Sequence, residues 1–187
     1  MDLFYESTKQ CPKSGLHNPL KNVERYNMIG AVCHKAAALM HDKRVEDYFT
    51  RLIMRVMPKS YAQSNGEVVV VRKFLENFSG DQPRFLMQSF NVSGDHNGQQ
   101  SSGYRWPYGP VCIICPFNFP LEIPALQIMG ALIPGNHVLI KGDSRVSVVI
   151  EQFIRMLIYC GLPVGDVDLI HADGPPVGDL IKRDCFR

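Results

Sequence analysis

The sequence predicts an α/β fold: a helical N-terminal part and a hairpin, followed by part of a Rossmann-like parallel sheet. Three observations predict it. Before residue 83, apolar residues recur at helical three-to-four spacing. Between 84 and 108, a Gly- and Asn-rich turn separates two strand-like runs. From 111 to 171, short apolar runs alternate with capped helical patterns, the order that builds a parallel sheet with right-handed crossovers. The expected division is 1–83 helical, 84–108 hairpin and connecting strands, and 109–187 a partial α/β domain.

Residues 1–20 hold Pro12, Gly15 and Pro19 and read as irregular. From 22 to about 57 the pattern is helical, with a break at Asp42-Lys43. Val23, Tyr26, Cys33, Ala37 and Met40 share one face, and Phe49, Leu52, Ile53 and Val56 repeat the spacing. A third helix is expected over 67–78 on Val68, Val71, Leu75 and Phe78, although four valines in a row also suit a strand. Residues 85–92 read as a strand, 93–98 as a turn, and 103–106 as the start of a returning strand.

The second half is more regular. Strands are expected at 111–115, 137–141 and 167–171. The helix over 120–132 should bury Ile123, Leu126 and Met129 and tolerates Pro124 near its start. The next helix, capped by Asp143 or Ser144, should bury Val146, Val149, Ile150, Phe153, Leu157 and Cys160 and stop at Gly161. A last helix begins over 177–182. Ligands of such sheets lie at the carboxyl ends of the strands, where 115–118, 141–144 and 172–175 converge on one rim.

Composition narrows the function classes. The net charge of +2 implies neither a nucleic-acid nor a membrane-surface field. The apolar runs fall far short of the roughly 20 residues that span a bilayer. Residues 1–10 do not read as a targeting segment. Six irregularly spaced cysteines, several inside apolar runs, suggest buried thiols in a reducing compartment. Cys112 and Cys115 are three apart on a strand and point to opposite faces, so a metal or redox pair is not expected. His34, His41, His96 and His171 have no partner legible in the sequence.

Two polar residues stand out at the rim. Asn118 follows the first buried strand and can either donate into the rim or cap the next helix. Lys141 is the only charge ending an apolar run, where a snorkelling lysine is the plain alternative.

Five motifs then point one way. They are Arg105-Trp-Pro-Tyr-Gly-Pro-Val111, Cys115-Pro-Phe-Asn-Phe-Pro-Leu121, Gly130-Ala-Leu-Ile-Pro-Gly-Asn136, Val138-Leu-Ile-Lys141 and Gly161-Leu-Pro-Val-Gly-Asp-Val167. In order and spacing they resemble the front part of an NAD(P)-dependent aldehyde dehydrogenase, closely over 105–175 and more loosely before. Gly94-Asp-His-Asn-Gly-Gln-Gln100 and the Tyr-Arg-Trp-Pro lead-in look like the branch that oxidises glutamate semialdehyde, the delta-1-pyrroline-5-carboxylate dehydrogenases.

The resemblance implies roles. Asn118 would stabilise the oxyanion formed when a thiolate attacks an aldehyde, a contribution of about 3–4 kcal/mol. Cys115, Pro116 and Phe117 would place backbone groups beside the nicotinamide half of the cofactor. Lys141 would bind the adenosine ribose, or a 2′-phosphate. Ser144 stands where the family usually has a glutamate and offers either a ribose hydroxyl or a helix cap. Gly174 and Pro175 would pass near the adenine or simply pack. The branch points to NAD, with NADP left open, and to a mitochondrial homo-oligomer acting on a small aldehyde.

The family's catalytic cysteine and glutamate have no match here; Cys160 and Cys185 are not in their places, and no Gly-x-Gly-x-x-Gly substitutes. The expectation is therefore a truncated dehydrogenase, inactive alone. The alternative is a non-catalytic module that assembles with a full-length subunit.

Overall fold

The structure is a computed structural model and describes residues 1–183 and 186. Helices α2 (Glu24–His41) and α3 (Lys43–Val56) part at Asp42, as the sequence predicts. The Asp42 carboxylate accepts the Arg44 N–H at 2.9 Å and caps the new helix. Of the first expected face, Tyr26, Cys33, Ala37 and Met40 are buried but Val23 is half exposed.

Helix α4 (Tyr61–Asn77) begins six residues before the expected position. Ser60 and Gln63 form a capping box, each side chain accepting from the other's backbone N–H. That local signal precedes the apolar stripe, so periodicity alone misses the first turn. The valine run is helical, with Val68 and Val71 inward.

Two expectations fail in the N-terminal half. Residues 1–20 are not wholly irregular, because α1 occupies Asp2–Lys9. This helix leaves Leu3 exposed and lays Met1, Phe4 and Tyr5 on the sheet, so tertiary contact makes it helical rather than a visible stripe. The strand expected over 85–92 starts only at Gln88. Residues 85–87 belong to helix α5 (Gln82–Met87), whose first turn holds Pro83, a favoured place for proline. Strand β1 (Gln88–Ser93) pairs antiparallel with β2 (Gln100–Tyr104), with an irregularity between Gln88 and Phe90. The returning strand thus starts earlier and ends earlier than expected.

Strands β3 (Pro110–Ile114), β4 (His137–Lys141) and β5 (Val167–Ile170) form one parallel sheet in that order. Helix α6 (Glu122–Leu132) links β3 to β4, α7 (Ser147–Tyr159) links β4 to β5, and α8 (Gly174–Ile181) follows β5. The α6 core face is Ala125, Ile128, Met129 and Leu132, while the expected Ile123 and Leu126 are only half-buried. All six expected inward residues of the following helix are buried.

The cap expected for α7 is wrong. The helix starts at Ser147 with no side-chain cap, and the Asp143 carboxylate instead accepts the Arg145 N–H within the preceding turn. Helix α8 begins three residues before the expected position, opened by prolines in its first turn.

One apolar cluster joins α2, α3 and α4 to α6, α7 and one sheet face. On the other face, Leu139, Ile170, Val177 and Leu180 pack with Met1, Phe4 and Tyr5. Helices α1 and α8 therefore cover the side that α6 and α7 leave. Strand β3 is an edge, pairing only with β4 among the described residues.

The 11–22 segment is tied down by Asp166, which is 2% exposed. Arg25 Nη2 donates to its carboxylate at 2.7 Å and His17 Nε2 lies at 3.1 Å. Burial alone would raise the Asp166 carboxyl, but the His17 and Arg25 contacts outweigh it and hold it below the usual value. The bond to Asp166, aided by Cys11, lifts His17 from 6.5 to about 9.

Two outcomes are expected. His17 gains its proton more readily in the folded state, so its contribution is complete below pH 6.5 and is lost as pH rises through about 9. The gap in urea midpoint between the native chain and His17→Gln should therefore shrink from pH 6.5 to above 9; a constant gap would contradict the tether. Separately, Gly30 lies against the Gly80 backbone, where a Cβ would collide with a carbonyl oxygen. Gly30→Ala should cost about 1–3 kcal/mol by urea unfolding, and an unchanged midpoint would refute that close approach.

Candidate functional site

The rim at the carboxyl ends is built by backbone register. Ile114 stands opposite Lys141, and Lys141 opposite Ile170. The Cys115 N–H continues the ladder by donating to the Lys141 carbonyl at 3.0 Å. The loops after β3 and β4 thus leave side by side. They are also joined by side chains, since the Arg145 guanidinium lies 4.3 Å from the centre of the Phe117 ring.

After Cys115 the chain turns through Pro116, Phe117, Asn118 and Phe119, all exposed, and dives back at Pro120 and Leu121. Asn118 does not cap α6. The first free N–H groups there, of Leu121 and Glu122, are taken at 3.1 and 3.2 Å by Oε2 of Glu67 from α4. Among the described residues, the Asn118 amide has no hydrogen-bond partner. Oε1 of Glu67 accepts from Lys59 Nζ at 2.6 Å, and that ammonium lies 3.9 Å from the Phe119 ring centre.

Between the ends of β4 and β5 lies a cavity of about 280 Å³, lined by Gly142, Ser144, His171, Ala172 and Asp173. Lys141 is half-buried at the end of β4 and has no ion-pair partner among the described residues. Ser144 is exposed at the cavity, and its role as helix cap is excluded by where α7 begins. Arg145 grips Asp143 with two hydrogen bonds, at 2.9 and 2.8 Å. Those bonds, with Lys141 adding least, hold the Asp143 carboxyl far below its usual range.

Gly174 and Pro175 open α8 at the same edge, exposed, but they do not line this cavity. His171 and Asp173 line it instead. Glu67, Lys59 and Arg145 were not legible as site residues: the first lies among valines, and the other two are ordinary surface types until the fold places them.

Four of the described cysteines are withdrawn from solvent. Cys11, Cys33, Cys115 and Cys160 are buried. Burial pushes the Cys33 thiol up to about 12 and the Cys115 thiol up to about 11. Cys112 packs with the cluster under α1, and Cys115 with the cluster on the opposite face, as their spacing predicts. No group of residues able to hold a metal ion occurs among the described residues. Cys185 lies outside them.

Residues 25–185 match the sequence profile of the aldehyde dehydrogenase family. The chain is 60% identical over 178 residues to the mitochondrial delta-1-pyrroline-5-carboxylate dehydrogenase 12A1 of Arabidopsis thaliana, covering 95% of this chain and 32% of that protein. It is 28% identical over 154 residues to the 1-pyrroline-5-carboxylate dehydrogenase of Anoxybacillus flavithermus, covering 82% and 29%. Among solved structures, a proline utilization A protein superposes with a TM-score of 0.73 at 23% identity, over 86% of this chain and 16% of that one. An NADP-dependent glyceraldehyde-3-phosphate dehydrogenase from Bacillus halodurans, complexed with NADP, superposes at 0.68 with 24% identity, over 87% and 34%. Those two likenesses speak to the fold. The chain spans about a third of the length of the curated relatives it matches.

A thiol held as a buried, uncharged group is a slow nucleophile. In the folded chain, Cys115 should alkylate with iodoacetamide at least about tenfold more slowly than in urea, followed by peptide mass spectrometry. Equal rates would show that the thiol is exposed and ionised more readily than its burial dictates.

Proposed function

The chain belongs to the aldehyde dehydrogenase family, and from that premise we propose that it carries the oxyanion donor and the cofactor-facing rim of an enzyme that oxidises glutamate semialdehyde to glutamate with NAD. The observation that carries this reading is the unpartnered Asn118 amide. Its neighbour helix has been capped by Glu67, so the amide is left to donate outward. Donation from Asn118 Nδ2 to the aldehyde oxygen strengthens as a thiolate attacks and the oxygen gains charge. A donor held in place before the reaction needs no reorganisation at that moment.

The rim suits the ribose and adenine side of a dinucleotide. The cavity between β4 and β5 is of sugar size, and Lys141, the residue before its lining Gly142, has no ion-pair partner among the described residues. Lys141 would donate to the ribose hydroxyls and Ser144 would offer its own. The Cys115, Pro116 and Phe117 backbone would flank the nicotinamide, and Gly174 and Pro175 the adenine. When bound, such a cofactor would supply the acceptor for the substrate's hydride. Ser144 carries no charge and so does not repel a 2′-phosphate. The preference for NAD over NADP rests on the likeness to the pyrroline-carboxylate enzymes.

The attacking thiolate and the base come, on this reading, from the remainder of a complete enzyme. The thiols of Cys33 and Cys115 are buried and held neutral. In the hairpin, β1 is exposed throughout and β2 at alternate residues. A lone two-stranded hairpin is marginal in water, which supports pairing between subunits of a homo-oligomer. The name of the Arabidopsis relative supports a mitochondrial location.

In a complete enzyme carrying this segment, Asn118→Ala should lower kcat about 100- to 1,000-fold while the KM for NAD changes little. Lys141→Ala should raise that KM and spare kcat. The reverse pattern would sink both assignments. The 187-residue chain alone, given NAD and glutamate semialdehyde, should show no rise in NADH absorbance. Turnover abolished by Asn118→Ala would reveal a nucleophile inside it.

A further inference from the structure

Asn118 sits between two aromatic rings, and each ring lies under a cation. Phe117 is covered by Arg145, from the loop after β4. Phe119 is covered by Lys59, from the corner between α3 and α4. Lys59 is not a free surface cation. Its side chain is 15% exposed, and it is bonded to a Glu67 carboxylate that is 1% exposed. The same carboxylate then reaches Leu121 and Glu122. One arm built on α4 therefore holds residues 119, 121 and 122, on the C-terminal side of Asn118.

We propose that Lys59 and Glu67 form a clamp that sets the direction of the Asn118 amide. Its catalytic meaning rests on the oxyanion reading above, but its geometry does not. Every polar atom in the clamp has a defined task. Glu67 Oε2 satisfies two N–H groups at the start of α6, where negative charge is also favoured by the helix dipole. Oε1 holds the ammonium, without which a buried carboxylate would be unpaired. The ammonium completes the chain by resting on Phe119, a contact that strengthens when desolvated.

The loop is consequently fixed by charge-assisted bonds at its far end and by the β3–β4 ladder at its near end. Between them, the Asn118 side-chain amide has no hydrogen-bond partner among the described residues. A role limited to capping α6 would need Glu67 and a partner for its buried charge, but not an ammonium seated on the Phe119 ring. The placement of Lys59 over the residue next to Asn118 is what assigns the pair a positioning task.

Nuclear magnetic resonance on the isotope-labelled 187-residue chain tests this without turnover. Glu67→Ala should speed hydrogen exchange at the Leu121 and Glu122 amides by about tenfold or more, leave Val138 to Ile140 protected, and shift the Asn118 side-chain amide signals. Glu67→Gln keeps an acceptor and should restore much of that protection. Lys59→Met should move the Asn118 signals while leaving the Leu121 and Glu122 amides slow, and Lys59→Arg should return them towards the native positions. Asn118 signals unmoved by both Glu67→Ala and Lys59→Met would overturn the clamp and leave Glu67 as a helix cap only. If Glu67→Ala does not fold, the Lys59 pair decides the same question. Failure of Asn118→Ala to affect kcat in a complete enzyme would remove the oxyanion role and leave these spectra unchanged.

Discussion

Strand β4 has no solvent side. His137, Val138, Leu139 and Ile140 are all buried, so both faces need a covering layer. Helices α6 and α7 cover one face because right-handed crossovers bring them there. The other face takes α8 and the N-terminal α1. With both faces closed, the carboxyl ends of the strands are where polar side chains can gather without being buried. Lys141 marks this transition. It follows four buried residues and is the first of its strand to reach solvent.

Charge is distributed on the same logic. Buried carboxylates are costly unless paired and hydrogen-bonded, and the molecule pairs them. Glu46 is met by Lys43, Arg72 and Asn65; bonds from Lys43 and Asn65 hold its carboxyl low despite burial. Asp166 is met by Arg25 and His17, and Glu67 by Lys59 and two backbone N–H groups. The rim groups differ. Among the described residues, exposed Asn118 has no partner for its amide and half-buried Lys141 has no ion pair. Ser144 does not cap α7. The carboxylates with structural duties are buried and paired, whereas the polar groups of the rim are more accessible.

The β/α half was legible because its signals are local: β4 runs over the residues its apolar run predicts, and the α7 core face follows from period alone. The errors came from two sources. Where tertiary contact decides, as for α1 on the sheet, ten residues show too little pattern. Where an interaction is long in sequence, its partners look unrelated: Glu67 and Leu121 are 54 apart, and Arg25 and Asp166 are 141 apart. The capping alternatives at Asn118 and Ser144 fall into the second class. Sequence offers each a nearby helix to cap, and only the fold shows that Glu67 already serves one and that the other begins too late.

Strand order also fixes the polarity of the proposed site. Asn118 leaves the end of β3, the edge strand, while Ser144 and Asp173 border the cavity between β4 and β5. Adjacent strands are about 4.8 Å apart, so Asn118 and this cavity are separated by one to two strand steps across β4. On the reading proposed above, a dinucleotide lying along this rim would direct its reactive ring towards β3 and its adenosine towards β5. The opposite orientation would carry the ring away from Asn118.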